Sequence, residues 1–189
     1  MQFRESGMPS QDYWETLVDV PLILDAFGFN GTTCDVAELG SGYGTFTVPL
    51  ARRINGIVYT VDIDPAMVEA TRERAAKAGL TNVREKVADV VANGFGCPPA
   101  SCDACLLFNI LHCESPMEVL RAAREVVRPQ GIVAVIHWRS DIVTPRGPNL
   151  SIRPRPAQIS DWATAAELSV EPGSFTLAPW HFGMRLSRR

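Results

Sequence analysis

The sequence predicts an α/β protein built on a largely parallel sheet, and three observations carry that expectation. Between residues 34 and 138, short runs rich in Val, Ile, Leu and Cys alternate with helix-like segments, in units of about 25–30 residues. Those runs show little polar alternation, as expected for strands buried on both faces. The first of them runs straight into three alternately spaced glycines. With 189 residues and 46% hydrophobic content, the chain supports one ordinary domain with a real core and not a disordered one.

The elements follow in order. Residues 9–28 read as one or two short helices, with Tyr13, Trp14, Leu17 and Val18, then Leu22, Ile23, Leu24 and Phe27, ending at Gly28. Strands are expected at Cys34–Leu39, Ile57–Asp62, Asn82–Ala88, Asp103–Asn109 and Ile132–Trp138. Asp64-Pro65 opens a helix with a capping carboxylate before a proline suited to the first turn, and Met67, Ala70 and Ala75 continue it. Ser115-Pro116 opens another through Met117, Leu120 and Ala123, which Pro129 is expected to close. Residues 139–156, holding Pro145, Gly147, Pro148, Pro154 and Pro156, read as an ordered loop. A short helix near Ala157–Leu168 and strands at Val170–Leu177 and His181–Arg188 complete the chain. The short turn at Ala178–Trp180 makes these last two strands antiparallel neighbours.

Composition removes several classes of function. A net charge of −3 gives no global field favouring nucleic acid or an anionic membrane. No apolar run approaches the roughly 20 residues that span a bilayer. The polar start, Met1 to Ser10, lacks a signal-peptide core, so a cytoplasmic protein is expected. Five cysteines, an odd number, need no disulfide framework and agree with a reducing compartment. Cys102-x-x-Cys105 invites a zinc reading, but Cys105 falls within an apolar strand and no second ligand pair completes a set, so no metal is expected.

The strongest local signal is Val36-Ala37-Glu38-Leu39-Gly40-Ser41-Gly42-Tyr43-Gly44-Thr45. Glycines let a backbone turn tightly against a ligand, and a following helix offers unpaired N–H groups. The spacing is G-x-G-x-G; a dinucleotide fingerprint would place glycine where Thr45 stands. Glu38 would repel a pyrophosphate but accept hydrogen bonds from an amino-bearing ligand. Asp62 ends the second strand eighteen residues after Gly44, where a carboxylate can accept both hydroxyls of a ribose. Asp64 has the simpler task of capping its helix. Asp89, at the end of the third strand, serves equally as an acceptor for an adenine amino group and as the cap of a short helix.

These segments resemble the class I S-adenosylmethionine-dependent methyltransferases. The resemblance rests on Glu38-Leu39-Gly40-Ser41-Gly42-Tyr43-Gly44, Val61-Asp62-Ile63-Asp64-Pro65-Ala66-Met67 and Val87-Ala88-Asp89. It continues through Asp103 to His112 and through Val127-Arg128-Pro129-Gln130-Gly131, where the family's usual Pro-Gly-Gly is altered. It implies a Rossmann-like doubly wound sheet of seven strands in the order 3-2-1-4-5-7-6, the last antiparallel. It implies S-adenosylmethionine as cofactor and S-adenosylhomocysteine as product. Glu38, Gly40, Ser41, Gly42 and Gly44 would then lie near the methionine moiety and Asp62 on the ribose. Asp89 and Val90 would surround the adenine, and Ile63 and Asn109 would complete the cofactor residues. One domain, 1–189, divides into a helical cap or lid (1–32), a cofactor-binding core (33–138), and a substrate-side loop, helix and closing strands (139–189).

The expected activity is methyl transfer to a small-molecule acceptor by in-line displacement. A sulfonium's leaving group is a neutral thioether, so a base is needed only if the acceptor must lose a proton. Ligands of open α/β sheets sit outside the carboxyl ends of the strands, where His112, His137 and His181 all fall. His112 and His181 are the preferred bases, while His137 is expected to face the helix layer. Arg139, Arg146, Arg153 and Arg155 follow the fifth strand and would either bind an anionic group or form a solvated, proline-pinned loop. Tyr13 and Trp14 would belong to a lid or would staple a helix to the sheet. Asn109-Ile110-Leu111-His112 stands where base-modifying enzymes carry an Asn-Pro-Pro-Tyr/Phe motif, so a nucleic-acid substrate is not expected. A catalytically silent module of the same fold is the alternative, followed by a nicotinamide-dependent reductase, which Thr45 and the lack of a Tyr-x-x-x-Lys pair disfavour.

Overall fold

The structure, a computed structural model, describes residues 9–188; residues 1–8 and 189, and with them part of the expected cap, lie outside the described residues. Two short helices, α1 (Gln11–Glu15) and α2 (Val20–Ala26), lead in, with Asp19 capping α2 through the Leu22 N–H. Then β1 (Val36–Leu39), β2 (Val58–Asp62), β3 (Val83–Val87), β4 (Cys102–Phe108) and β5 (Val127–Trp138) alternate with α3 (Thr47–Arg53), α4 (Pro65–Lys77), α5 (Val90–Asn93) and α6 (Pro116–Val126). A 3-10 turn (Leu150–Ile152) and α7 (Pro156–Ala165) precede β6 (Leu168–Val170), β7 (Phe175–Leu177) and β8 (His181–Arg188).

The sheet runs β3-β2-β1-β4-β5-β8-β6, with β1 to β5 parallel and β8 antiparallel to β5 and β6. This is the expected order, β8 being the seventh strand foreseen. The single strand expected at 170–177 is instead two, because a turn through Pro172 and Gly173 (φ +81°) interrupts it; β6 and β7 both pair with β8. The preceding helix stops at Ala165, since Glu167 adopts a left-handed backbone (φ +58°).

Pro129 does not close α6, which ends earlier, at Val126, but lies within β5. Val127 pairs with Cys102, and regular pairing then resumes only at Ile132 opposite Ala104. The intervening residues bulge out of the ladder, where a proline's missing N–H is tolerated. Gly131 ends this excursion, and a Cβ there would meet the Asp103 carbonyl oxygen at 2.8 Å.

Alternate residues of the central strands enter two cores. Leu39, Cys105, Leu107, Val133 and Val135 pack with Leu120, Ala123 and Ile159 of α6 and α7. Val36, Leu106, Ala134 and Ile136 pack with Leu24 of α2 and Val48 and Leu50 of α3 on the opposite face. Burial on both faces explains why these strands read as continuous apolar runs. It also leaves the carboxyl edge of the sheet as the place where irregular backbone gathers.

Candidate active site

The glycine loop leaves β1 at Gly40, whose N–H donates to the Val61 carbonyl at 2.7 Å. Gly40 has φ +85°, and a Cβ there would lie 3.0 Å from Ile110 Cδ1. Asp62 ties this loop to the next strand: its Oδ2 accepts the Gly42 N–H at 3.1 Å and its Oδ1 accepts the Asp64 N–H at 3.0 Å. The Ser41 hydroxyl lies 3.5 Å from the same Oδ2. Oδ1 keeps a further lone pair for a ligand hydroxyl, and at Oδ2 such a hydroxyl would compete with the long Ser41 contact. Asp64 caps α4 through Ala66 N–H, as expected. Beside Asp62, Ile63 exposes 42% of its surface, an apolar face next to a polar acceptor.

Asp89 caps α5 by accepting from Val91 N–H at 3.0 Å. Val90 is 1% exposed, so its side chain belongs to the core and only its main chain remains for contact; Val91 is the exposed neighbour.

Glu38 is buried in β1, and both the Thr47 and Thr60 hydroxyls donate to its Oε2. Burial raises its pKa to about 7, against the pull of the two hydroxyls and with a small push from Asp62. Asn109 follows β4 in a left-handed conformation (φ +58°) while its N–H donates to the Ile136 carbonyl. Its buried Oδ1 has no hydrogen-bond partner, and its Nδ2 lies 3.3 Å from His181 Nε2.

The histidines separate. His181 is 2% exposed and its ring lies 4.2 Å from that of Trp138; burial, then the charge of Arg153, lowers its pKa to about 4. His137 is fully buried in the helix-layer direction, against Phe182, and burial lowers its pKa to about 3. His112 is only half-buried, sits edge-on to His137 at 5.4 Å, and lines a cavity of about 390 Å³ with Met117, Arg153, Gln158 and Trp162.

The arginines separate as well. Arg139 forms a two-pronged pair with Asp141. Arg153 is buried and donates to the carbonyls of Pro148, Arg139 and Arg146. It therefore pins the loop from within, so this arginine is a buried tie of the loop and not one of its solvated residues. Arg146 and Arg155 are exposed.

Sequence reasoning missed Trp138 and the anchoring of α1. Trp138 meets the Trp14 ring at 6.3 Å, His181, the Arg153 guanidinium and Gly147, where a Cβ would lie 2.9 Å from the indole. Glu15 pairs with Arg74 of α4 and accepts from the Thr45 hydroxyl, while the Tyr43 hydroxyl donates to the Pro9 carbonyl at 2.8 Å. Thus α1 lies over the glycine loop. A terminal tryptophan on an apolar strand was the available signal; the contacts of Glu15 carried none.

The fold and this edge define a class, the nucleotide-type α/β sheets whose ligands sit at the strand ends. Residues 36–131 match the family described as "Methyltransferase domain", which is just over half of the chain. The chain belongs to that family. It is 36% identical over 62 residues to aklanonic acid methyltransferase DauC of Streptomyces sp. (strain C5), a stretch covering 32% of this chain and 28% of that protein's length. A SAM dependent methyltransferase from Aquifex aeolicus has the same fold: TM-score 0.81, 22% identity, 94% of this chain and 93% of that one covered. The [4+2]-cyclase SpnF shares the fold too, at TM-score 0.75 and 14% identity, covering 98% and 85%. Among the described residues, no helix is long and apolar enough to cross a membrane.

Proposed function

We propose that the chain is an S-adenosylmethionine-dependent methyltransferase acting on a small-molecule acceptor by in-line displacement. The observation that carries this reading is the pair of buried acceptors at the ends of β1 and β4. Glu38 has its proton nearly balanced at neutral pH, and Asn109 Oδ1 has no donor. Leaving a buried acceptor unmade costs about 1–3 kcal/mol, and an amino-bearing ligand would relieve it. The residues fit the cofactor. Glu38, Asn109 and the glycine loop would hold its amino-acid end, Asp62 its ribose hydroxyls, and Asp89 with Ile63 its base. That cofactor supplies a methyl group on a positively charged sulfur.

The chain's own part is to position and to exclude water. The glycine loop and Asn109 fix the sheet edge, and residues 9–32 act as a cap over it. The acceptor occupies the cavity beside His112, with the acceptor atom held in line and the site closed to water; such positioning supplies about 7–11 kcal/mol at the favourable end. His112, half-exposed to that cavity, takes the acceptor's proton where one must leave. His181, sealed between Trp138 and Asn109, is a positioning residue for Asn109. Arg139 and Arg153 are already engaged, so an anionic group on the acceptor would have to meet the exposed Arg146 or Arg155.

SpnF's fold shows that sheet order alone does not decide the chemistry. Calorimetric titration with S-adenosylmethionine, S-adenosylhomocysteine and NADH decides among the readings. Both adenosyl ligands should bind and NADH should not. No heat with either adenosyl ligand would sink the proposal, and saturable NADH binding would favour a reductase.

A further inference from the structure

We propose that Cys97 and Cys102 form a reversible thiol–disulfide site, oxidised by small disulfides of the glutathione class that reach Cys97 through the cavity between α5 and α6. The two Sγ atoms lie 3.7 Å apart, and both thiols are free. A disulfide needs about 2.05 Å between sulfurs, so the remaining gap is less than the reach of one side-chain rotation and a small loop shift. Cys102 is held at the start of β4 by its pairing with Val127. Cys97 lies on the loop between α5 and β4, outside any helix or strand.

Access is divided as exchange chemistry requires. Cys97 is half-buried and lines a cavity of about 520 Å³ together with Phe95, Glu118, Arg121 and Glu125. Cys102 is sealed, 0% exposed, behind it. The neighbouring Cys102 sulfur, with the Ser101 hydroxyl, holds the Cys97 thiol below the ordinary thiol range, while Cys102 is pushed up. Cys97 is thus the attacking sulfur and Cys102 the resolving one. A metal would need more: among the described residues no group of three His, Cys, Asp or Glu is placed to hold one.

The steps balance. Cys97 thiolate attacks one sulfur of the disulfide RSSR, forms Cys97–S–SR and releases RS⁻. Cys102 then gives up its proton and attacks the Cys97 sulfur, releasing the second RS⁻. Two protein thiols are oxidised by two electrons, and one RSSR is reduced to two RSH. The site lies eight residues beyond Asp89, and neither cysteine is among the residues assigned to the cofactor or the acceptor.

The test uses the full chain in oxidised glutathione, quenched with an alkylating agent and cleaved on the amino side of aspartate. Cleavage before Asp103 leaves Cys97 and Cys102 on one peptide and separates them from Cys105 and Cys113. That peptide should lose two hydrogens, escape alkylation, and recover both thiols in dithiothreitol. Cys97 should react about tenfold faster than the exposed Cys34, which serves as an internal control. Cys102→Ser should halt at a stable glutathione adduct on Cys97, and Cys97→Ser should leave Cys102 reduced. A persistent adduct on Cys97 in the unaltered chain, or reaction no faster than at Cys34, would overturn the proposal. Neither of those outcomes depends on a variant folding.

Discussion

Glu38 is a carboxyl group whose burial and whose expected ligand pull in opposite directions. Its pKa near 7 means that at pH 6 most of the population carries a proton. A cationic amino group brought beside it favours the ionised form, so binding should expel that proton. Calorimetry at pH 6 in two buffers of different ionisation enthalpy should therefore give different heats, with close to one proton released. Glu38→Gln should abolish the difference, and buffer-independent heat in the unaltered chain would remove Glu38 from the site. Asp62 makes a second test. Asp62→Ala deletes an acceptor that also steadies the Gly42 N–H, so adenosyl affinity should fall about 10- to 100-fold, the range of one hydrogen bond to a charged group. Unchanged affinity would refute the ribose assignment. The places of both residues in the sheet were legible because each follows from strand ends and spacing: Glu38 lies in β1 and Asp62 ends β2. The sequence did not disclose that Asn109 is left with an unmet oxygen, or that His181 is sealed, because both depend on contacts between β4 and β8 made across 72 residues.

At the scale of elements, the parallel strands and the capped helices were readable because local rules govern them. A central strand is apolar along most of its length, whereas the edge strand β3 (Val-Arg-Glu-Lys-Val) is largely exposed and polar, and Asp64-Pro65 or Ser115-Pro116 announces a helix start. The ends of β5 and the division between β6 and β7 were not readable, since pairing with neighbours, and not the local run, decides where a ladder begins. The seating of α1 was hidden for the same reason. Its Glu15–Arg74 pair is partly exposed, so it contributes little to global stability, under about 1 kcal/mol. Glu15→Ala should accordingly leave the melting temperature nearly unchanged while making α1 open to proteolysis and raising KM for the cofactor. Continued protection of α1 would show that it is not held as a cap by this pair. Trp138 differs, because it joins α1, the Arg153-pinned loop and β8 in one buried contact. Trp138→Ala should cost about 3–5 kcal/mol in denaturant unfolding, and a loss below 1 kcal/mol would contradict that role.

For the whole molecule, three buried titrating groups contribute to the response to acid. His137 and His181 have folded pKa values of about 3 and about 4, below the ordinary 6.5, so the stability they contribute is present above pH 6.5 and lost as pH falls toward those values. Glu38 acts in reverse: its contribution is present below pH 4.5 and lost as pH rises through about 7. Between pH 6.5 and 4.5 two groups destabilise on acidification and one stabilises, a net loss of about 1.4 kcal/mol per pH unit from these three. His181→Gln should bring that slope near zero, read as the difference between variant and unaltered chain in urea titrations across the range; parallel curves would exclude His181 as a source. The position of β8 has a different consequence, in time. It lies between β5 and β6, both of which precede it in the chain, and Arg185 reaches back to the Phe27 carbonyl. During synthesis the five parallel strands emerge well before the strand that covers the flank of β5. Until His181 and the residues after it arrive, β5 presents an open, apolar edge of the kind that captures other chains. Folding of this sheet is therefore paced by its most distant contacts, and the nascent chain is most prone to aggregate just before it is complete enough to close.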